Sequence, residues 1–295
     1  MKALALDLGG TMLKIALVGE DGSVEQFREL PSHGKEGGEA LLKSAFAAAD
    51  DYTGYRCIGV STAGQVDVAT GSIRFANENI PNYTGAQVAR LFGQRYGVPI
   101  AVENDVNAAA LGEAKYGAGK DFPHCLCLTY GTGVGGGIVL DGQIFHGADG
   151  VAGELGHIVT HPGGRLCACG QRGCYEQYAS TTALVRAAQE QDSTVQNGRE
   201  LFQKLDSLSG VVDRWVDEVV LGLAGLVHIF NPHGIVMGGG IMNEPYILEQ
   251  LHQRLYPRIM SSYRGVRLVK AQNGNQAGLL GAAWLAFGKI KEAAK

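Results

Sequence analysis

The chain writes one local plan twice, at places far apart, and this limits its fold more than any other feature. Residues 3–24, ALALDLGGTMLKIALVGEDGSV, read as strand, Gly turn, strand, Asp-Gly turn and strand. Residues 125–147, CLCLTYGTGVGGGIVLDGQIFHG, follow the same order. Two such meanders, too diverged for a simple repeat period, predict an internal duplication of one fold. After the first copy the pattern alternates: a helix over 38–50, a strand over 56–61, a helix over 84–97, a strand over 98–103 and an Ala-rich helix over 105–117. That βββαβαβα order predicts an α/β layer architecture in which a parallel portion is added to a meander. Composition turns to loop at 118–123, AGKDFP, before the second copy opens. Helices are then expected over 180–190, 198–206, 210–230 and 244–262, a strand over 234–241, and a last helix over 276–294. No long Pro/Ser-rich linker separates the halves, so two closely apposed lobes with a cleft between them are expected.

With 295 residues the chain can build two cores. A net charge of −4 gives no electrostatic footprint for nucleic acid and no polybasic membrane patch. No uncharged apolar stretch reaches the roughly 18 residues that a membrane span needs. The apolar N-terminus is broken by Asp7, Gly9 and Gly10, so it reads as a strand pair and not a signal peptide. The expected location is the cytoplasm, with neither nucleic acid nor membrane as partner. Glycine is the outlier, at 44 residues against roughly 20 for average usage. It clusters at Gly9-Gly10, Gly131 to Gly137 and Gly238 to Gly240, which suggests backbone that must approach a ligand closely.

The first turn, Asp7-Leu8-Gly9-Gly10-Thr11, ends a strand in a carboxylate. Its glycines let backbone amides face an anion, Thr11 adds a hydroxyl donor, and Asp7 offers a place for Mg²⁺. An ordinary β-turn is the competing reading. The second turn, Gly131-Thr132-Gly133, sits at the matching place in the second copy and lacks the Lys of a P-loop. Together the two predict turns gripping one polyphosphate. Gly238 and Gly239 suit a flat base or ribose, or else a tight strand-to-helix connection. Glu103-Asn104-Asp105 closes a buried strand and opens a helix. Asp105 is either the helix cap or a carboxylate at the mouth of the cleft that accepts a hydroxyl proton. Asn104 offers a donor and an acceptor to neighbouring hydroxyls.

Three of the six cysteines, Cys57, Cys125 and Cys127, lie in apolar strands and read as buried thiols. Cys167, Cys169 and Cys174 lie in the polar loop RLCACGQRGCYE, near His157. One His and three Cys make a closed tetrahedral set for one structural Zn²⁺, with His161 as a rival fourth ligand. Such a metal would shape and not catalyse, fixing Glu154, Glu176 and the free nitrogen of His157 toward one pocket.

The motifs DLGGT (7–11), ENDVNAAALGE (103–113), GTGVGGGI (131–138), AGELGH (152–157), CACGQRGCYEQYAS (167–180) and VMGGGI (236–241) together resemble the ROK family of repressors, open reading frames and kinases. The resemblance implies an actin-like, ribonuclease H-type duplicated α/β fold with two lobes around a cleft. The expected boundaries are 1–118 plus 276–295 for the small lobe and 119–275 for the large one. It implies ATP with Mg²⁺ as donor and a free hexose as acceptor at its 6-hydroxyl, with Asp105 as the base. Expected sugar contacts are Asn104, Glu154, His157 and Glu176, with Gly64 and Asn79 as weaker candidates. Expected ATP contacts are Asp7, Gly9, Gly10, Thr11, Lys14, Gly131, Thr132, Gly133, Gly238 and Gly239. Zinc is expected on His157, Cys167, Cys169 and Cys174, which favours His157 over His161. A homodimer and closure of the lobes over sugar are expected too. The repressor branch carries an N-terminal winged helix, and this chain opens directly on its first strand. A sugar-binding protein without catalysis is the alternative of a different class, and the intact Asp7, Asp105 and both turns speak against it. The cysteine loop resembles the glucokinase, N-acetylmannosamine kinase and N-acetylglucosamine kinase branches. The loop Asn79-Ile80-Pro81-Asn82-Tyr83 keeps a β-glucoside kinase open, with Tyr83 either a pocket-rim aromatic or a plain surface residue. Glucose is the favoured substrate.

Overall fold

The first strand shows how a dipeptide alternation builds this molecule. In β1 (Lys2–Leu8), Leu4, Leu6 and Leu8 face one core while Ala3 and Ala5 face another. Period-2 alternation separates large from small residues, so the sheet takes a thick layer on one side and a close-packed helix on the other. Asp7 continues the small-residue face.

The computed structural model describes residues 1–293. Positions 294 and 295, where the last helix and the small lobe were expected to end, lie outside the described residues. β1 pairs antiparallel with β2 (Met12–Gly19), which pairs with β3 (Val24–Pro31). After α1 (Gly38–Ala49), β4 (Cys57–Thr62) lies parallel to β1. A small hairpin, β5 (Gln65–Asp67) and β6 (Ser72–Phe75), and α2 (Val88–Tyr96) precede β7 (Ile100–Asn104), parallel to β4. The sheet order is β3-β2-β1-β4-β7. α3 (Asp105–Tyr116) leads into the second half: β8 (Cys125–Tyr130), β9 (Val134–Leu140) and β10 (Gln143–Ile144), then α4 (Glu176–Ala179), α5 (Thr181–Gln189), α6 (Gly198–Gln203) and α7 (Leu205–Phe230). β11 (Gly234–Gly238), α8 (Pro245–Leu255), β12 (Arg267–Lys270) and α9 (Ala277–Ala293) complete the chain. The second sheet has the order β10-β9-β8-β11-β12, with β8, β11 and β12 parallel. The two sheets share one topology, as the repeated plan predicts.

α9 packs on β1, β4 and β7 of the first sheet, α3 on β8 and β9 of the second, and the two helices pack on each other between the sheets. Each helix serves the sheet of the other half. Glycine makes this possible. A Cβ on Gly112 or Gly281 would strike a carbonyl of the opposite helix, at Ala277 and Ala108, and one on Gly59 would strike Ala282. Gly135 and Gly137, on β9, lie against Val106 and Ala110 of α3. The glycine excess therefore has a second cause beyond ligand approach: the layers touch backbone to backbone.

Cys57, Cys125 and Cys127 are buried strand thiols, as expected. Several boundaries differ. The helix expected over 84–97 begins only at Val88, because Asn82 and Gly85 adopt positive φ and form a turn. The helix expected over 244–262 ends at Leu255 and passes into 3₁₀ turns, the first of which contains Pro257. The break expected after 206 lies at Lys204, so α7 runs from Leu205 without interruption. The hairpin β5–β6 and strand β12 are additions. Among the described residues no helix is long and apolar enough to cross a membrane.

Candidate active site

Asp105 is the first residue of α3, and Asn104 is its cap. The Asn104 side-chain oxygen accepts from the N–H groups of Val106 at 3.0 Å and Asn107 at 3.1 Å. The bland reading of Asp105 as the helix cap is thereby corrected: Asn104 satisfies the free amides of the first turn. Asp105 Oδ1 accepts from Asn104 Nδ2 at 3.0 Å and from Val106 N–H at 2.9 Å. The Asn104 amide also donates to the Gly64 carbonyl at 2.9 Å, so Gly64, Asn104 and Asp105 are brought together. Burial, and then the charge of Asp7, push the Asp105 carboxyl up to about 6.

Asp7 projects toward the start of α9, near Gly278. Its Oδ1 accepts from Ser61 Oγ at 2.7 Å, and its Oδ2 lies 3.1 Å from Lys14 Nζ. Asp7, Gly9, Gly10, Thr11, Lys14 and Asp105 line one cavity of about 540 Å³, closed on the far side by Gly274 and Asn275. Gly131 and Thr132 line a neighbouring groove of about 1280 Å³ with Gly240, Asn243, Asn197 and Arg186. Gly238 and Gly239 line a third hollow, beside Thr129 and Lys270. The two Gly turns thus flank adjoining spaces and do not share one cavity. Gly133, next to Thr132, backs onto Glu176: a Cβ there would lie 2.5 Å from Glu176 Oε2.

The ligand atoms of His157, Cys167, Cys169 and Cys174 all lie within 4.8 Å of one another. Cys169 and Cys174 Sγ are 3.6 Å apart, and His157 Nδ1 is 3.6 Å from Cys167 Sγ. Zn–S bonds of about 2.3 Å in a tetrahedron put sulfurs about 3.8 Å apart, so the donor set fits. A disulfide needs about 2.05 Å and is not formed. His161 is elsewhere: it stacks on Tyr178 with ring centroids 3.9 Å apart, and its Nε2 faces Glu218 at 3.4 Å. Glu176 Oε1 accepts from Cys167 Sγ at 3.1 Å, and His157 Nε2 lies 3.8 Å from Glu154 Oε2. The two glutamates flank different nitrogens of His157, Glu154 at Nε2 and Glu176 3.9 Å from Nδ1 beside the Cys167 sulfur.

A family model, the ROK family, matches residues 3–289. The chain belongs to the ROK family. Among its ROK relatives, the glucokinase of Thermotoga maritima is 35% identical, over 96% of each chain. The β-glucoside kinase of Listeria monocytogenes is 34% identical over 96% of this chain and 97% of that one. A solved structure, the ROK family glucokinase of Streptomyces griseus in complex with glucose and AMPPNP, superposes with a TM-score of 0.83 at 30% identity, over 98% of this chain and all of that one. The fold is accordingly the actin-like, two-lobed kinase fold that the ROK resemblance implies.

One residue of the loop 79–83 sits differently from expectation. Tyr83 is neither rim nor surface: it is fully buried, and its hydroxyl lies 2.9 Å from Thr62 Oγ1. Asn79 is exposed, and its carbonyl backs Gly10, so this loop buttresses the first Gly turn. Sequence reasoning missed Glu103, His146 and Glu113. The Glu113 carboxylate is buried and accepts from the N–H groups of Ala118, Gln272 and Asn273. It holds the strand-to-helix loop that closes the Asp7 cavity. Both glutamates stand inside the quoted motif ENDVNAAALGE, which was the available signal.

Proposed function

We propose that this ROK protein is an ATP-dependent glucokinase that phosphorylates the 6-hydroxyl, with Asp105 as proton acceptor. The observation that carries the reading is the Asp105 carboxylate, lifted toward neutrality and facing Asp7 and the first Gly turn across one cavity. Phosphoryl transfer asks the protein for positioning and charge neutralisation more than for covalent chemistry. Asp105 takes the hydroxyl proton as the oxygen attacks, and Asn104 holds the carboxylate in place. Thr11, Lys14 and the Gly10 amide receive the transferring phosphate, while the Gly9 N–H closes the turn by donating to the Met12 carbonyl at 3.0 Å. Gly131, Thr132, Gly238 and Gly239 serve the rest of the nucleotide. Mg²⁺, held near Asp7, would neutralise phosphate charge. Zn²⁺ on His157, Cys167, Cys169 and Cys174 would stiffen the wall that presents Glu154, Glu176 and His157 Nε2 to sugar hydroxyls. Closure of the lobes excludes water, which otherwise competes as acceptor.

The burial of Tyr83 removes the rim aromatic that favoured a β-glucoside, and glucose remains the favoured sugar. The test is an ATP-coupled assay over glucose, mannose, fructose, allose, both N-acetylhexosamines and cellobiose. Glucose should give the highest kcat/KM. A higher value for another sugar would overturn the glucose assignment, and no turnover on any would overturn the kinase reading.

A further inference from the structure

The loop after β10 leaves the second sheet, touches the first, and returns to the sugar wall. His146 begins it. His146 Nε2 lies 2.7 Å from Glu103 Oε2, at the end of β7, and the Glu103 side chain is only 2% exposed. The other Glu103 oxygen accepts from the Asn104 N–H at 2.9 Å and from the Asn107 side chain at 3.2 Å. Among the described residues His146 is the one cationic partner of this carboxylate, and the pairing raises the pKa of the imidazole. The His146 carbonyl in turn accepts from the Ala152 N–H at 3.1 Å, closing the loop two residues before Glu154. Midway round, the Asp149 carbonyl accepts from Arg74 at 2.8 Å, so the loop also grips the β5–β6 hairpin.

A short covalent and hydrogen-bonded chain thus runs from Glu154 through His146 and Glu103 to the peptide that carries Asn104 and Asp105. A buried carboxylate stripped of its partner is strongly unfavourable, so it turns away or takes up a proton. Turning away releases the Asn104 N–H, and protonation leaves it a weaker, neutral acceptor; displacement of a reacting group by about 1 Å can cost about a hundredfold in rate.

We propose that His146 is a positioning residue which, through Glu103, fixes the proton acceptor Asp105 relative to the sugar-facing Glu154. The inference rests on the reading of Asp105 and Glu154 given above. It concerns the sugar half of the site, because among the described residues neither Glu103 nor His146 hydrogen-bonds to the Asp7 turn or to Gly131–Gly133.

The experiment compares His146→Ala, His146→Gln and Glu103→Gln with the parent enzyme, in steady-state kinetics for sugar and ATP separately. His146→Ala should raise the sugar KM about tenfold and lower kcat, with the ATP KM within about twofold of the parent value. His146→Gln, whose amide can still donate to Glu103, should recover most of the loss. The double variant His146→Ala with Glu103→Gln should be no worse than the poorer single one, since each removes the same contact. An unchanged sugar KM in His146→Ala, equal rises in both KM values, or additive losses in the double variant would each overturn the inference. If Glu103→Gln does not fold, the contrast between His146→Ala and His146→Gln decides, with equal damage from both counting against it. Asp105→Asn measured in parallel separates the failures: retained turnover there sinks the base assignment, whereas an unaffected His146→Ala sinks only this one.

Discussion

A carboxylate held at the edge of the interior beside another carboxylate has two measurable consequences. Asp105 must be ionised to accept a proton, and burial with Asp7 nearby moves its ionisation up to about 6. Sugar kcat/KM should therefore rise with pH through about 6, and at pH 5 only about a tenth of the enzyme should be competent. A pH profile flat down to 5 would contradict the assignment. The same shift is a statement about stability. An acid whose folded pKa lies above its unfolded value of 3.8 favours folding most at low pH, and that contribution is lost as pH rises through about 6. At neutral pH the ionised carboxylate then costs roughly 3 kcal/mol. Asp105→Asn should accordingly lose turnover by about a hundredfold or more while its melting temperature holds or rises. A calorimetric scan showing a much lower melting temperature would mean that the residue is structural.

Among the elements, α3 and α9 decide the architecture. In an ordinary helix Gly→Ala gains up to about 1 kcal/mol, because alanine orders more cheaply. At Gly281 the sign reverses, since the new Cβ would meet the Ala108 carbonyl of α3. Overpacking of this kind costs about 1–3 kcal/mol. Gly281→Ala should lower the melting temperature by several degrees, and a stabilised variant would show that the helices can move apart freely. The elements themselves were largely legible. β1, β2, β8 and β9 follow from apolar runs broken by Gly and Asp, and α3 follows from Ala-rich composition after Asn104. The hairpin β5–β6 was not legible, because strands of three and four residues carry too little periodicity. α2 was overextended because Ala86 and Gln87 favour a helix, and the turn at Asn82 and Gly85 delays the start.

At the scale of the whole molecule, the cysteine cluster ties three irregular pieces of the segment 157–174 into one wall. His157 comes from a 3₁₀ turn after β10, Cys167 and Cys169 from an irregular loop, and Cys174 from the lead into α4. Purified protein should hold about one zinc per chain. Its removal by a chelator should raise the sugar KM several-fold more than the ATP KM, because Glu154 and Glu176 lose their support while the Asp7 turn does not. A metal-free preparation with unchanged sugar KM would remove zinc from the site. The chain itself determined the repeated strand plan, the Cys₃His donor set and the carboxylate opening α3, because these depend on residue type, order and short spacing. Which histidine joins the cysteines, which residue caps α3, where Tyr83 points, and that Glu103 meets His146 were decided only by the tertiary structure. Apart from the local cap of α3, each depends on what stands opposite, 10 to 43 residues away along the chain, and no local period encodes a partner at that distance. The glycines show both sides of this division: their number was plain from the start, and their work as contact points between α3, α9 and the two sheets appeared only when the layers were stacked.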